Sequence, residues 1–207
     1  IGDICINYFH ENSIGTVIKH IPGHGLAKVD SHKFTPIVKK KSNLPFLTTW
    51  NASDIVSSSH KLNFGRPGLF GNRISNFAVQ ACDVLLVLGS RLSVPITGYQ
   101  IKNFSPRSKK IIVDIDKKEI VKRKIKSELK INSDVGLFLE SINAKLNNRL
   151  KINNSWIENL SKLKIFLDEN NKYKKEKKFI NSFRFIESLS KNLNGNENIV
   201  TDMGTSF

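Results

Sequence analysis

Glycine, arginine and acidic residues recur in four loops of this sequence: Gly23 to Gly25, Gly65 to Asn72, Gly89 to Gly98, and Asp114 to Asp116. Glycines let a backbone approach a phosphate closely, and Arg66, Arg73 and Arg91 can supply charge-assisted donors. An aspartate at the end of a strand can accept from a ribose hydroxyl. Gly65, Arg66, Gly68, Gly71, Asn72, Gly89, Ser90, Arg91, Asp114 and Asp116 are thereby the candidate residues of a nucleotide cradle. Gly65, Gly68 and Gly71 are spaced three apart in a long loop and do not form the G-x-G-x-x-G fingerprint. The pattern alone leaves two readings open, turn glycines or a phosphate site. For Arg91 the alternatives are a phosphate contact or a salt bridge, and for Asp114 a ribose contact or a helix cap. Arg66 and Asn72 have the alternative role of ordering the loop.

Other chemistries find less support in the residues. His10, His20, His24, His32 and His60 share no ligand or triad spacing, so neither a metal site nor Ser-His-Asp hydrolysis is expected. Cys5 and Cys82 form no metal set, and they suit a reducing cytoplasm. No residue is assigned a catalytic role. The formal charge of +15 would permit nucleic-acid binding. However, the lysines, densest at 117–130 and 172–178, are mixed with acidic residues and lack aromatic platforms, which reads as solvated helix faces. Hydrophobic residues at 39% and charged residues at 25% are globular values, and no stretch approaches the ~20 apolar residues of a membrane span. A soluble, cytoplasmic protein is expected. The first residue is not Met and the last residues read as a strand entering a loop, so truncation at both ends is expected.

The loops need a scaffold, and the apolar pattern supplies one. Val84 to Leu88 is apolar at every position, as in a strand covered on both faces within a parallel sheet. Ile111 to Val113 repeats the pattern, while Thr16 to Ile21 and Phe46 to Thr48 read as weaker strands. Ile74, Phe77, Ala78 and Ala81 predict a helix over 72–82. Val135, Phe138, Leu139, Ile142 and Leu146 predict another behind the candidate caps Ser133 and Asp134, and helical spacing also runs through Phe34, Ile37 and Val38. Trp50 is expected to fill core or interface space, with Asn51 and Asp54 ordering the loop behind it.

The predicted fold is α/β: a doubly wound, mostly parallel six-stranded sheet with helices on both faces, plus a helical linker. Its ligand edge lies beyond the carboxyl ends of the strands. Residues 1–15 form a separate N-terminal segment, 16–147 a nucleotide-binding-like domain, and 148–180 a Lys/Asn-rich connector with an amphipathic segment through Trp156, Leu160, Leu163 and Leu167. Residues 181–207 start a further domain, with a helix around Phe183, Ile186 and Leu189 and a strand at Ile199 to Thr201.

The runs TTWNASD at Thr48 to Asp54, FGRPGLFGNRISNF at Phe64 to Phe77, LLVLGSRL at Leu85 to Leu92, PITGY at Pro95 to Tyr99 and IIVDID at Ile111 to Asp116 resemble the central domain of acetolactate synthase-like thiamine-diphosphate enzymes. The resemblance extends more loosely from Val17 to Phe207. It implies a parent that decarboxylates or joins 2-oxo acids with thiamine diphosphate and magnesium, as a homodimer or homotetramer. In that family the activating glutamate lies in an N-terminal domain and the metal motif in a C-terminal domain, so this chain alone would hold neither. The resemblance makes Gly204, Thr205 and Ser206 cofactor-site candidates at the diphosphate. It also allows FAD or an adenine nucleotide in the central domain. FAD-binding relatives carry an acidic pair just after the arginine corresponding to Arg91, where this chain reads Leu92-Ser93-Val94-Pro95, which counts against FAD. A free-standing nucleotide-binding module without thiamine chemistry is the alternative.

Overall fold

The computed structural model describes residues 16–20, 44–53, 55–122, 125–146, 154–167, 179–195 and 197–200. It divides the chain into two units, Ile1–Phe166 and Leu167–Phe207. The first is built on five parallel strands: β1 (Thr16–His20), β2 (Phe46–Thr48), β3 (Val84–Leu88), β4 (Lys109–Asp114) and β5 (Leu129–Asn132), in the spatial order β2-β1-β3-β4-β5. Every pairing is parallel, so all five strands end at one edge of the sheet. The described residues form a sheet of five strands where six are expected, and β5 is one that the sequence reading does not name.

Register explains why β3 and β4 read as continuous apolar runs. Leu86 pairs with Ile111 and Leu88 with Val113, which places them on one face with Val84 and Ile131. There they join a cluster closed by Phe138, Leu139 and Ile142 of helix α4 (Val135–Leu146). Leu85, Val87 and Ile112 point the other way and are just as buried, so both faces are covered. Helix α1 (Arg73–Ala81) buries Ile74, Ala78 and Val79 and delivers the chain to β3 through the buried Cys82. Desolvation pushes the Cys82 thiol up to about 11, which makes it a structural rather than a reactive cysteine.

Short helices α2 (Val94–Thr97) and α3 (Lys117–Lys122) follow β3 and β4. The expected strand at Ile111 to Val113 is longer, Lys109–Asp114, and it buries a lysine. Lys110 Nζ donates to the carbonyls of Ser105 and Ser108, which pins the turn entering the strand. Burial holds its pKa below the usual lysine value.

Two features depart from the sequence pattern. β5 (LKIN) buries only Ile131 among its four residues, because an edge strand needs one inward side chain and not an apolar run. Helix α5 (Asn154–Phe166), within the stretch read as a connector, belongs to the first unit: Leu160 is fully buried and Ile157 packs on the main core cluster. The expected helix at Phe34 to Val38 lies outside the described residues.

In the second unit, helix α6 (Ser182–Asn192) is capped by Asn181, whose side chain accepts from the Arg184 N–H. Ile199 and Val200, expected in a strand, are exposed and carry no strand assignment.

The two-sided burial of β3 has a direct consequence for stability. Leu85→Ala is expected to lower the unfolding free energy by about 2–5 kcal/mol in urea titration, whereas Leu137→Ala, on the exposed side of α4, changes it little.

Candidate functional site

The sheet order puts a reversal of strand direction-of-travel between β1 and β3, since the chain moves outward to β2 from one and to β4 from the other. In such sheets the loops leaving the two strands diverge and open a crevice at the carboxyl edge. β4 ends beside β3, with Leu88 level with Val113, so the turns Gly89–Ser90–Arg91 and Asp114–Ile115–Asp116 are neighbours. The Gly65–Asn72 loop reaches the same region: the Leu69 N–H donates to the Pro95 carbonyl of α2 at 2.7 Å. Three of the four predicted loops therefore meet at one edge, and Gly23 to Gly25 lies outside the described residues.

The glycine loop is closed by its own hydrogen bonds. Asn72 accepts from the Arg66 N–H through Oδ1 at 3.0 Å, and its own N–H donates to the Arg66 carbonyl at 2.7 Å. Asn76 clamps Gly68, accepting from its N–H and donating to its carbonyl. The Gly65 N–H goes to Asn63 Oδ1, and the Gly71 N–H to the Gly68 carbonyl. Side chains would collide here: a Cβ on Gly68 would lie 2.2 Å from the Pro95 carbonyl oxygen, and one on Gly71 2.3 Å from that of Arg66. Gly68 also has φ +127°, a conformation open to glycine. Loop closure thus accounts for these glycines, and the amides of Gly65, Arg66, Gly68 and Gly71 already have acceptors.

The turns after β3 and β4 differ in kind. Ser90 and Asp114 are buried and line one small cavity with Leu92, Ile112, Ile120 and Ile125. Its free volume of about 10 Å³ has room for about one water molecule. Ser90 Oγ has no hydrogen-bond partner among the described residues. Asp114 Oδ1 accepts from the Asp116 N–H at 2.9 Å, and burial raises its pKa above the ordinary carboxylate range. Leu92, buried beside them, has φ +46°, which is strained for a branched side chain. An orphan hydroxyl, a desolvated carboxylate and a strained residue each cost stability, and all three stand around one cavity.

Arg91 pairs with Glu119 of α3 at 3.1 Å, both lining this cavity; the guanidinium is exposed and the Glu119 side chain largely buried. Asp116 caps α3, accepting from the Lys118 N–H at 2.8 Å. Asn132 braces the turn from β5, donating to the carbonyls of Asp114 and Ile115. The sequence gives no sign of that brace, since a lone Asn at the end of a polar strand has no motif. Trp50 is not a core residue; it stands about half exposed, with its ring tilted against Phe70 at 5.9 Å. Asp54 and the candidates Gly204, Thr205 and Ser206 lie outside the described residues, as do the side chains of every histidine except His60. His60 packs on Phe46 and accepts from the Leu62 N–H. Among the described residues no three His, Cys, Asp or Glu side chains could hold a metal ion.

A parallel sheet in this order, covered by helices, defines an α/β domain. Comparison with known sequences narrows the class: the family model of the thiamine pyrophosphate enzyme central domain matches residues 21–142. The chain belongs to this thiamine-diphosphate-dependent, acetolactate synthase-like family. It is 32% identical over 177 residues to the probable acetolactate synthase large subunit of Methanococcus aeolicus, covering 78% of this chain and 29% of that protein. It is 30% identical over 166 residues to the corresponding protein of Methanocaldococcus jannaschii, covering 78% and 28%. With the acetolactate synthase large subunit of Corynebacterium glutamicum it shares 35% identity over 102 residues. The chain thus spans less than a third of the length of these relatives.

The raised pKa of Asp114 sets the sign of a pH effect. A carboxyl whose folded pKa lies above its unfolded value is favoured protonated in the fold; that contribution is complete below the unfolded pKa and is lost as pH rises through the folded one. Asp114→Asn is therefore expected to raise the thermal midpoint at pH 7, with the gain shrinking as pH falls toward about 4. A lower midpoint at pH 7 would show that the carboxylate is retained for stability.

Proposed function

We propose that this chain is the central domain of an acetolactate synthase-like subunit, with a connector and the first residues of the following domain, and that its own role is to scaffold and to hold a nucleotide. The reading is carried by the Ser90–Asp114–Leu92 cluster. Ser90 Oγ offers a hydroxyl without a partner among the described residues and Asp114 a buried carboxylate that can accept from a ribose hydroxyl, while the Gly89 N–H is already given to the Val113 carbonyl. The cavity is too small to admit a base, so the ligand would lie across the turns with only a hydroxyl or phosphate oxygen directed inward. Arg91, exposed on its side of the pair with the largely buried Glu119, would turn to a phosphate. The glycine loop, with its amides already used, would serve as a wall and not as the phosphate donor. An adenine nucleotide suits this arrangement better than FAD, given the apolar Leu92-Ser93-Val94-Pro95 where an acidic pair would stand.

In the whole protein, thiamine diphosphate with magnesium would supply the carbanion stabilisation that 2-oxo acid decarboxylation and carboligation require. Gly204, Thr205 and Ser206 would approach its diphosphate. The activating glutamate and the metal motif would come from the flanking domains, in a cytoplasmic homodimer or homotetramer. A second reading, a nucleotide-binding module that works alone, draws on the same observation, because the β3 and β4 turns are complete within this chain.

Two outcomes are expected from the pure chain. With pyruvate, thiamine diphosphate and magnesium it shows no carboligase or decarboxylase turnover; cofactor-dependent turnover would refute the scaffold role. In calorimetric titration with ADP, FAD and NAD, ADP binds and Arg91→Ala and Asp114→Ala each weaken it, by roughly tenfold for a lost charge-assisted hydrogen bond. Binding indifferent to both substitutions would remove the site.

A further inference from the structure

The edge of the sheet beside β2 is extended by a second run of backbone. The Phe46 N–H donates to the Leu62 carbonyl, the Phe64 N–H to the Phe46 carbonyl, and the Thr48 N–H to the Gly65 carbonyl, so residues 62–65 lie along β2 like an added strand and lead straight into the glycine loop. Such a run would leave an outward-facing carbonyl without a partner. At Asn63 that carbonyl is taken by Lys164 of α5, whose Nζ donates to it at 2.9 Å across a sequence separation of 101 residues. The same ammonium stands 5.7 Å from the centre of the fully buried Phe64 ring. Asn63 is itself fixed on its other side: Nδ2 donates to the Ser57 carbonyl at 3.2 Å, and Oδ1 accepts from the Gly65 N–H at 2.9 Å. Lys164 therefore grips the residue two positions before the glycine loop, while Leu160, one turn earlier in α5, anchors the helix in the core.

We propose that Lys164 is a positioning residue that ties α5 to the glycine loop, so that the helix through which the chain leaves the first unit sets the order of the loop at the candidate ligand edge. Lys164 and Asn63 are 101 residues apart in sequence, and a charge-assisted hydrogen bond joins them two residues before the loop begins. A disturbance of α5 is felt at Gly65 to Gly71, and by reciprocity a disturbance of the loop is felt in α5. The tie is independent of what the edge binds, so its test does not depend on the nucleotide reading.

Hydrogen exchange on the folded chain, resolved to single amides, tests this. Lys164→Met keeps the apolar stem and removes the donor; the amides of Gly65, Arg66, Gly68 and Gly71 are expected to exchange on the order of tenfold faster, with Leu86 and Ile112 in the sheet unchanged. Lys164→Arg, which retains a cationic donor, is expected to restore most of the protection. A second variant works from the opposite end with α5 intact: Asn72→Ala removes the acceptor of the Arg66 N–H, and exchange around Lys164 is expected to rise. Unchanged loop amides in Lys164→Met, acceleration spread evenly over loop and sheet, or an α5 indifferent to Asn72→Ala would each overturn the proposal.

Discussion

The burial of β3 on both faces is the constraint from which the architecture follows. Val84 to Leu88 present apolar side chains alternately to two sides, and neither side can be left to water. Helices must therefore cover the sheet above and below, which requires long crossovers and so parallel neighbours. Once β1 and β4 flank β3 in parallel, every strand ends at the same edge, and the turns that carry Ser90, Arg91, Asp114 and Asp116 are brought side by side. The site is a consequence of the sheet, since its members lie about 25 residues apart and share no local motif.

The legibility of these elements in the sequence follows their burial. Val84–Leu88 is legible as an unbroken apolar run buried on both faces, and Arg73–Ala81 and Val135–Leu146 through apolar residues at helical spacing. β5 is not, because a four-residue edge strand that buries only Ile131 leaves no period to read. The packing of α5 was hidden differently: its Lys- and Asn-rich surroundings resemble a connector, and its attachment depends on Leu160 and Lys164 meeting residues a hundred positions away. At the candidate site, the spacing of Gly65, Gly68 and Gly71 could not distinguish a phosphate cradle from a closed loop. The collisions that side chains would meet at Gly68 and Gly71 explain them by packing.

Three features that packing does not explain stand after β3 and β4. Among the described residues, a buried hydroxyl without a partner, a carboxyl pushed toward its neutral form and a leucine in the left-handed region stand there and are each unfavourable; Ser127 Oγ, Trp156 Nε1 and Ser105 at φ +46° are comparable features elsewhere. The three at the carboxyl edge share one cavity, which is why the proposed ligand edge is placed there.

The central claim, that the ligand edge is formed by the β3 and β4 turns, is tested most directly by nuclear magnetic resonance of the isotopically labelled chain titrated with ADP. Saturable shifts confined to the amides of Gly89, Ser90, Arg91, Ile115 and Asp116 are the expected result. Shifts that gather instead on the lysine-rich surface of 117–130, or an unperturbed spectrum at millimolar ADP, would contradict it.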